Sequence, residues 1–546
     1  MMNLKTLAVC ISVAGLTACG SDDGSSASGD PLLNSRDNPW YINSARSVQQ
    51  AQLNSEAINT LRGAAKNIIL FVGDGMGAST VTAARIRDGQ LKGMLGEENN
   101  LSFDTFPFVG LAKTYNVDAQ TPDSAGTMTA MMSGVKTDKG VIGLDEGANY
   151  AECDSAQGKE LVSALELAEM AGLSTGVIST ARITHATPAA AYAKSANRNW
   201  EDDSDMSGVS GGCVDIASQL VNFEGNLEAR YPGLDVNGIE VVMGGGRRHF
   251  LPKDAQYNVE KDAANGAEGD RGDGQDLLSL WRTHYPQGRL VHDQSAFDAI
   301  DVNSNQPVFG LFNESHMLYE ADRGNDILGE PSLTQMTTKA INILDNNEKG
   351  FFLTVESGRI DHAHHAGNAY NALGETIELA KAVQAAMDAT NPEETLIIVT
   401  ADHSHVFTIA GYPKRGNDIL GKLVSVGETE PALAKDDLPY TTLGYTNGRG
   451  FKDLGAETNA DAAYGAAIVS ERADLSGINT AEAGFHQESH VPSSAETHAG
   501  EDVAIYASGP GAHLVSGTHE QNILFHIMER AADLTNKAER ALANTP

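Results

Sequence analysis

The sequence predicts an α/β protein: a central, mostly parallel sheet flanked by helices on both faces, with inserted loop or crown regions. Three observations carry this expectation. Short apolar runs rich in branched residues recur along the chain without the polar–apolar alternation of a half-exposed strand, as strands buried on both faces do. Longer segments of helical period separate them, which is the rhythm of βαβ units. Finally, no self-similarity appears at a period of about 20 to 50 residues, so a solenoid is excluded.

Strands are expected at 67–72 (Asn-Ile-Ile-Leu-Phe-Val), 174–180, 240–243, 307–312, 351–355, 395–400 and 502–507. Helices are expected at 161–171, where Gly172 supplies a stop, at 333–344, at 369–387 and at 520–534, which closes the chain. Two stretches break the rhythm. Residues 252–300 are polar and rich in Gly and Asp, and residues 404–490 carry many turn formers, so both read as insertions near the functional edge of the sheet.

Composition narrows the class. The chain has 546 residues, with 38 Lys plus Arg against 73 Asp plus Glu, a net charge of −35. That balance argues against a nucleic-acid binding surface, because neutralising phosphates needs a basic face. It suits a highly solvated surface, and screening of self-repulsion predicts tolerance of molar salt. With 41% hydrophobic residues, 17 Pro and four Cys, the chain is neither disordered nor a disulfide scaffold.

Residues 1–18 have the layout of an export signal: Lys5, an apolar run from Leu7 to Leu16, then Thr17-Ala18 before Cys19. Leu16-Thr17-Ala18-Cys19 resembles a bacterial lipobox, which implies lipidation of Cys19 and anchoring in the bacterial cell envelope, on the periplasmic or outer-membrane face. Plain cleavage beside Ala18 is the alternative. Residues 19–40 then form a tether, small and polar over 20–30, and residues 41–546 form one folded body with the two insertions. Removal of Cys10 and acylation of Cys19 leave Cys153 and Cys213. Outside the reducing cytoplasm these two are expected to pair, with two buried thiols as the alternative.

Several strands run directly into carboxylate or imidazole. The first ends at Asp74, that of 351–355 at Glu356 with Asp361 and His365 close behind, and that of 395–400 at Asp402-His403. Ligands of open α/β sheets sit beyond the carboxyl ends of strands, so these groups can converge. Singly, each is as well read as a helix cap; together they are what a multi-metal site requires, since carboxylates and neutral imidazoles suit Zn²⁺ and oxygen ligands suit Mg²⁺. On a helix, Asp361 and His365 share a face at i and i+4. Gly73, Gly75 and Gly77 lack the dinucleotide spacing, and an Asp in that turn would repel a pyrophosphate. Gly244-Gly245-Gly246-Arg247 lacks the P-loop ending and reads as a turn. Thr121-Pro122-Asp123-Ser124-Ala125-Gly126 opens a helical pattern over 127–133. There Ser124 is either a cap or a nucleophile whose hydroxyl feels the positive end of the helix dipole and a nearby cation.

Six stretches, in order, resemble the alkaline phosphatases: Val72 to Gly77, Asp123-Ser124-Ala125, His185-Ala186-Thr187-Pro188, Val355 to His365, Thr400 to His405, and Glu496 to Gly500. The resemblance implies a phosphomonoesterase acting on small phosphate monoesters through a phosphoserine on Ser124. It implies two Zn²⁺, one held by Asp361, His365 and His498, the other by Asp402, His403 and Asp74. A third ion, usually Mg²⁺, would be held by Asp74, Thr187 and Glu356. Arg198 falls where the family binds phosphate, with Asp123 beside it. His185 and His362 stand where the best-known bacterial form has Asp and Lys, a pairing similar to the animal enzymes. Because imidazole prefers zinc, the third ion could also be Zn²⁺. Family precedent suggests a homodimer. A related diesterase, or a non-catalytic metal-binding surface lipoprotein, are the rival readings; the C/S-x-P-x-R segment of a sulfatase is absent.

Overall fold

The computed structural model describes residues 65–260 and 266–543. The export signal and the whole tether, Cys19 included, lie outside the described residues.

Eight strands come first along the chain: β1 (Asn67–Gly73), β2 (Phe108–Lys113), β3 (Ser174–Arg182), β4 (Val241–Gly245), β5 (Arg289–Val291), β6 (Val308–Leu311), β7 (Phe351–Ser357) and β8 (Thr395–Ala401). Seven short strands follow: β9 (Ser404–His405), β10 (Phe407–Ile409), β11 (Leu443–Gly448), β12 (Lys452–Asp453), β13 (Phe485–His486), β14 (Ser489–Pro492) and β15 (His498–Ala499). β16 (Val503–Ser508) and β17 (Gly517–Glu520) complete the set. Ten of them form one sheet in the order β17-β2-β16-β8-β1-β7-β3-β4-β6-β5. β16 runs antiparallel to β8 and β2, and every other pairing in this sheet is parallel.

The central strands are those dominated by apolar residues, with the few polar ones at their ends or buried among neighbours. Every residue of β1, β7 and β8 is buried, because neighbours and helices cover both faces. Helix Leu333–Leu344 coincides with its expected span; Ser332 accepts from the Gln335 N–H at 3.2 Å, and the helix packs on Ala369–Ala389. The helix expected from 161 begins at Ala164 instead. Ser163 and Glu166 close a capping box there, and Gly172, at φ 75°, ends it in the left-handed region where a side chain would strain.

Three expectations need correction. The final helix does not start at Glu520: that residue closes β17, where Lys113 and Lys136 pair with it. The helix runs Ile523–Ala532, Asp533 turns it at φ 56°, and a second helix follows at Leu534–Ala543. Residues 252–300 are not wholly inserted, since β5 at Arg289–Val291 edges the main sheet on β6. Gly244 and Gly245 belong to β4, so only Gly246 turns. Residues 404–490 do lie outside the main sheet, in β9 to β14 and their connections.

Cys153 and Cys213 are joined by a disulfide, with Cα atoms 5.7 Å apart. Cys153 sits in a small satellite core with Val141, Leu144, Ala148, Ala196 and Trp200, separate from the main one. Among the described residues no helix is long and apolar enough to cross a membrane.

Candidate active site

Parallel register brings the carboxylates together. Gly73 of β1 lies opposite Ala401 of β8 and Ser357 of β7, so Asp74 and Asp402 leave the sheet side by side, with Glu356 in the last turn of β7. Gly75 holds φ 70°, and a Cβ there would lie 2.3 Å from His405 Nε2; the turn needs glycine to admit that ring. Next to β7, β3 leads into the short helix Ala186–Ala189, which carries Thr187 and has His185 at its N-cap.

The side chains fall into three overlapping groups. In the first, Asp361 Oδ1 is 3.3 Å from His365 Nε2, 3.3 Å from His498 Nε2 and 2.8 Å from His405 Nε2. The i, i+4 placement of Asp361 and His365 is that of helix Arg359–His365. In the second, His403 Nε2 is 3.4 Å from Asp74 Oδ1 and 3.3 Å from Asp402 Oδ2. Asp402 is held by the N–H groups of Gly75 and His403, at 2.9 and 2.8 Å. In the third, Asp74, His185 and Glu356 converge, with Thr187 Oγ1 3.5 Å from Asp74 Oδ2 and Ser179 donating to Glu356.

This donor set fits divalent cations. His365 Nε2 and His498 Nε2 face each other at 3.2 Å, while their Nδ1 atoms meet the carbonyls of Glu496 and Pro122 at 2.7 and 2.8 Å. A ring whose Nδ1–H donates to a carbonyl presents a bare Nε2 lone pair, which is how metal-binding imidazoles are oriented. Two buried atoms of the third group, Glu356 Oε1 and His185 Nδ1, have no hydrogen-bond partner among the described residues.

Electrostatics point the same way. Burial, reinforced by the other carboxylates, pushes Asp74 well above the usual carboxylate range; burial also raises Asp402 and lifts Glu356 to about 7. Burial lowers His185 to about 3, aided by the guanidinium groups of Arg198 and Arg182. At Asp361 burial is outweighed by His365, His405 and His498, and the group stays well below its ordinary value. His405 is held up at about 10, because Glu496 and Asp361 outweigh its burial.

Ser124 is the first residue of helix Ser124–Ser133, capped by Asp123, which accepts from the Gly126 N–H at 3.2 Å. The helix therefore starts three residues before the expected 127, with Ser124 both beside the cap and on the cluster. Its Oγ lies 3.2 Å from His403 Nε2 and 3.4 Å from Asp74 Oδ1. Arg198 stands across from it, Nη1 on Asp123 Oδ2 at 3.0 Å and Nη2 on His185 Nε2 at 3.1 Å. Burial alone would raise Asp123, yet Arg198 and the N–H groups of Gly140 and Gly126 hold it low. Ser124, Arg198, His185, Asp361, His365 and His498 all line one open cleft of about 490 Å³.

Sequence reasoning assigned no role to His405, Glu496 or His316. His405 reaches Asp361 because β9 pairs with β15 and sets it opposite His498. Its other nitrogen meets Glu496 Oε2 at 2.5 Å. Both residues stood inside quoted stretches; the usable signal was a second histidine two residues after His403. His316, with its ring centroid 4.0 Å from that of His362, had no such signal.

The fold and cleft define a metal-dependent hydrolase of the α/β class. The sequence profile of the alkaline phosphatases matches residues 65–534. The chain is 42% identical to the tissue-nonspecific alkaline phosphatase of Rattus norvegicus over 520 residues, covering 94% of this chain and 92% of that one. It is 39% identical to the alkaline phosphatase of Gadus morhua, covering 91% and 96%. Similar solved structures include alkaline phosphatases from Thermus thermophilus (TM-score 0.59, 23% identity, covering 88% and 96%) and from the Antarctic bacterium TAB5 (0.56, 21%, covering 86% and 99%). The chain belongs to the alkaline phosphatase family and is a phosphomonoester hydrolase.

Proposed function

We propose that hydrolysis runs through a phosphoserine on Ser124, in a cleft that holds two Zn²⁺ and a third divalent ion, Mg²⁺ or Zn²⁺. Asp361, His365 and His498 would hold one zinc, and Asp74, Asp402 and His403 the other. Asp74, Glu356 and Thr187 would hold the third ion, with His185 beside it. When bound, the ions supply Lewis acidity and positive charge for a dianionic substrate. Three divalent ions outweigh the four carboxylates Asp74, Glu356, Asp361 and Asp402, which is how so acidic a protein would accept a phosphate.

The chain's own groups supply positioning. The guanidinium of Arg198, held by Asp123, can clamp two phosphoryl oxygens. Ser124 Oγ gives up its proton and bonds to phosphorus as the ester P–O bond breaks; the electrons of that bond leave with the alcohol oxygen, which takes up one proton. Water then bonds to phosphorus as the Oγ–P bond breaks, Ser124 Oγ regains a proton from that water, and inorganic phosphate is released. Charge in such a loose transition state lies on the peripheral oxygens, so fixed dipoles and cations carry the stabilisation. One observation carries this reading: Ser124 Oγ stands at a helix N-terminus within 3.4 Å of Asp74 and 3.2 Å of His403.

Phosphate release from an aryl monoester, with and without chelator, tests it. Chelator should abolish turnover, and Ser124→Ala should remove the labelled phosphoenzyme and cost several orders of magnitude in kcat. Full activity in chelator would exclude the metal reading, and near-normal turnover of the variant would move the nucleophile elsewhere. We also infer a lipid anchor on Cys19 in the cell envelope, supported by the lipobox-like ending, and a homodimer, supported by family precedent. Fatty-acid labelling lost in Cys19→Ala, and sedimentation of the soluble body, test these.

A further inference from the structure

We propose that Lys139 is a specificity-determining residue, a second cation at the cleft mouth that receives an anionic group carried on the leaving portion of the substrate. The inference rests on the phosphatase reading above and concerns the chemistry of the ester. It favours phosphomonoesters whose alcohol bears a carboxylate or a further phosphate.

Lys139 lines the same cleft as Ser124 and Arg198, and its side chain is exposed there. The backbone of Lys139 and Gly140 is fixed at three points. The Lys139 N–H donates to Asp118 Oδ1 at 2.8 Å, the Gly140 N–H donates to Asp123 Oδ1 at 3.0 Å, and the Gly140 carbonyl accepts from the Arg198 N–H at 2.8 Å. Lys139 and Arg198 therefore ride on one frame, anchored on the carboxylate that caps the Ser124 helix. Gly140 holds φ 81°, and the ring of Tyr150 fills the space a Cβ would take. That ring is tied by its hydroxyl to Asn197 Oδ1 at 3.2 Å, so the turn before Arg198 has little freedom.

The charge state of the neighbourhood makes the ammonium unusual. Nearby cations are neutralised: Arg198 by Asp123, Lys136 by Glu520 and Lys194 by Glu166. Among the described residues no carboxylate forms an ion pair with the Lys139 ammonium, although that of Asp118 meets its backbone N–H, in a chain of net charge −35. An unpaired cation at the rim of a cleft, in so acidic a protein, is positive potential directed at whatever enters. Arg198 and Ser124 face the phosphoryl group from inside, so the leaving alcohol points outward, past Lys139.

The test compares kcat/KM of the metal-loaded enzyme for 3-phosphoglycerate and for glycerol 3-phosphate at low ionic strength. These esters differ in one carboxylate. Lys139→Met should lower the ratio of the two values about fivefold, the size expected of one exposed charge pair, and Lys139→Glu should lower it further. About 0.5 M NaCl should erase the wild-type preference. An unchanged ratio in both variants, or a parallel fall for both esters, overturns the role of Lys139 while leaving the phosphatase reading intact. If wild-type enzyme releases phosphate from neither ester, the phosphatase reading itself fails and this inference falls with it.

Discussion

The two walls of the cleft are built differently. The wall proposed to bind metal grows from β1, β7 and β8, strands buried along their whole length, and Asp74, Glu356 and Asp402 sit on or one residue beyond them. The opposite wall, with Arg198 and Lys139, stands on loops over a satellite core of six buried residues stapled by Cys153–Cys213. Rigid strand ends suit ligands that must agree in position for one ion, because misplacement costs coordination directly. Loops suit cations that must reach a substrate at the mouth, but a small core restrains them weakly, and a crosslink offsets that.

The largest break of this contrast lies on the strand wall. Asp361→Ala removes the carboxylate on which His365, His405 and His498 converge, so bound metal by elemental analysis should fall by one ion or more and kcat/KM by at least about a thousandfold. Chelating the wild type should also lower Tm, since an ion held at a thousandfold over its Kd contributes about 4 kcal/mol. Retained stoichiometry in the variant would show that the wall does not bind as a unit.

On the loop wall, changing both Cys153 and Cys213 to Ser should cost about 2–4 kcal/mol of stability and weaken inhibition by inorganic phosphate, with metal content preserved. If metal is lost as readily as phosphate affinity, the two walls are not separable. An effect of similar size, confined to a pH window, is set by protonation. His249, between Glu201 and Asp202, is raised to about 9, since those carboxylates outweigh its burial. A histidine raised on folding stabilises fully below its unfolded value near 6.5 and ceases to as pH passes the folded value. The Tm gap between wild type and His249→Gln should therefore be widest near pH 6, corresponding to roughly 3 kcal/mol, and close by about pH 10. A gap that widened with pH would reverse the assignment. The smallest change expected is with salt: Tm at about 1 M NaCl should equal or exceed that in dilute buffer, and a steep loss would contradict the role given to surface repulsion.

How much was legible followed burial. Strands apolar on both faces, such as Asn67–Gly73 and Thr395–Ala401, announce themselves in any window of the chain. β2 alternates exposed Val109 and Leu111 with buried Gly110 and Ala112, while β5 and β17 span only three and four residues at the sheet edges. Neither pattern outweighs a loop reading, and their strand character comes from neighbours. Of the proposed metal ligands, Asp74, Glu356, Asp361, His365, Asp402 and His403 were legible because each follows a strong strand or sits in the dense run 361–365, whereas His185, Thr187 and His498 came only with the family resemblance. His405 was not assigned, because its partner Asp361 is 44 residues away in sequence and only the pairing of β9 with β15 brings the two together.

Read as a linear string, the chain already specifies its α/β plan, its central strands and the kinds of donor at their ends, because hydrophobic runs and charged residues carry that information locally. Folding alone settles which donors come together, which imidazole meets Asp361, and that Lys139 and Arg198 line the same cleft. Those are distances between residues remote in sequence, fixed by strand register and by hydrogen bonds that no local pattern encodes.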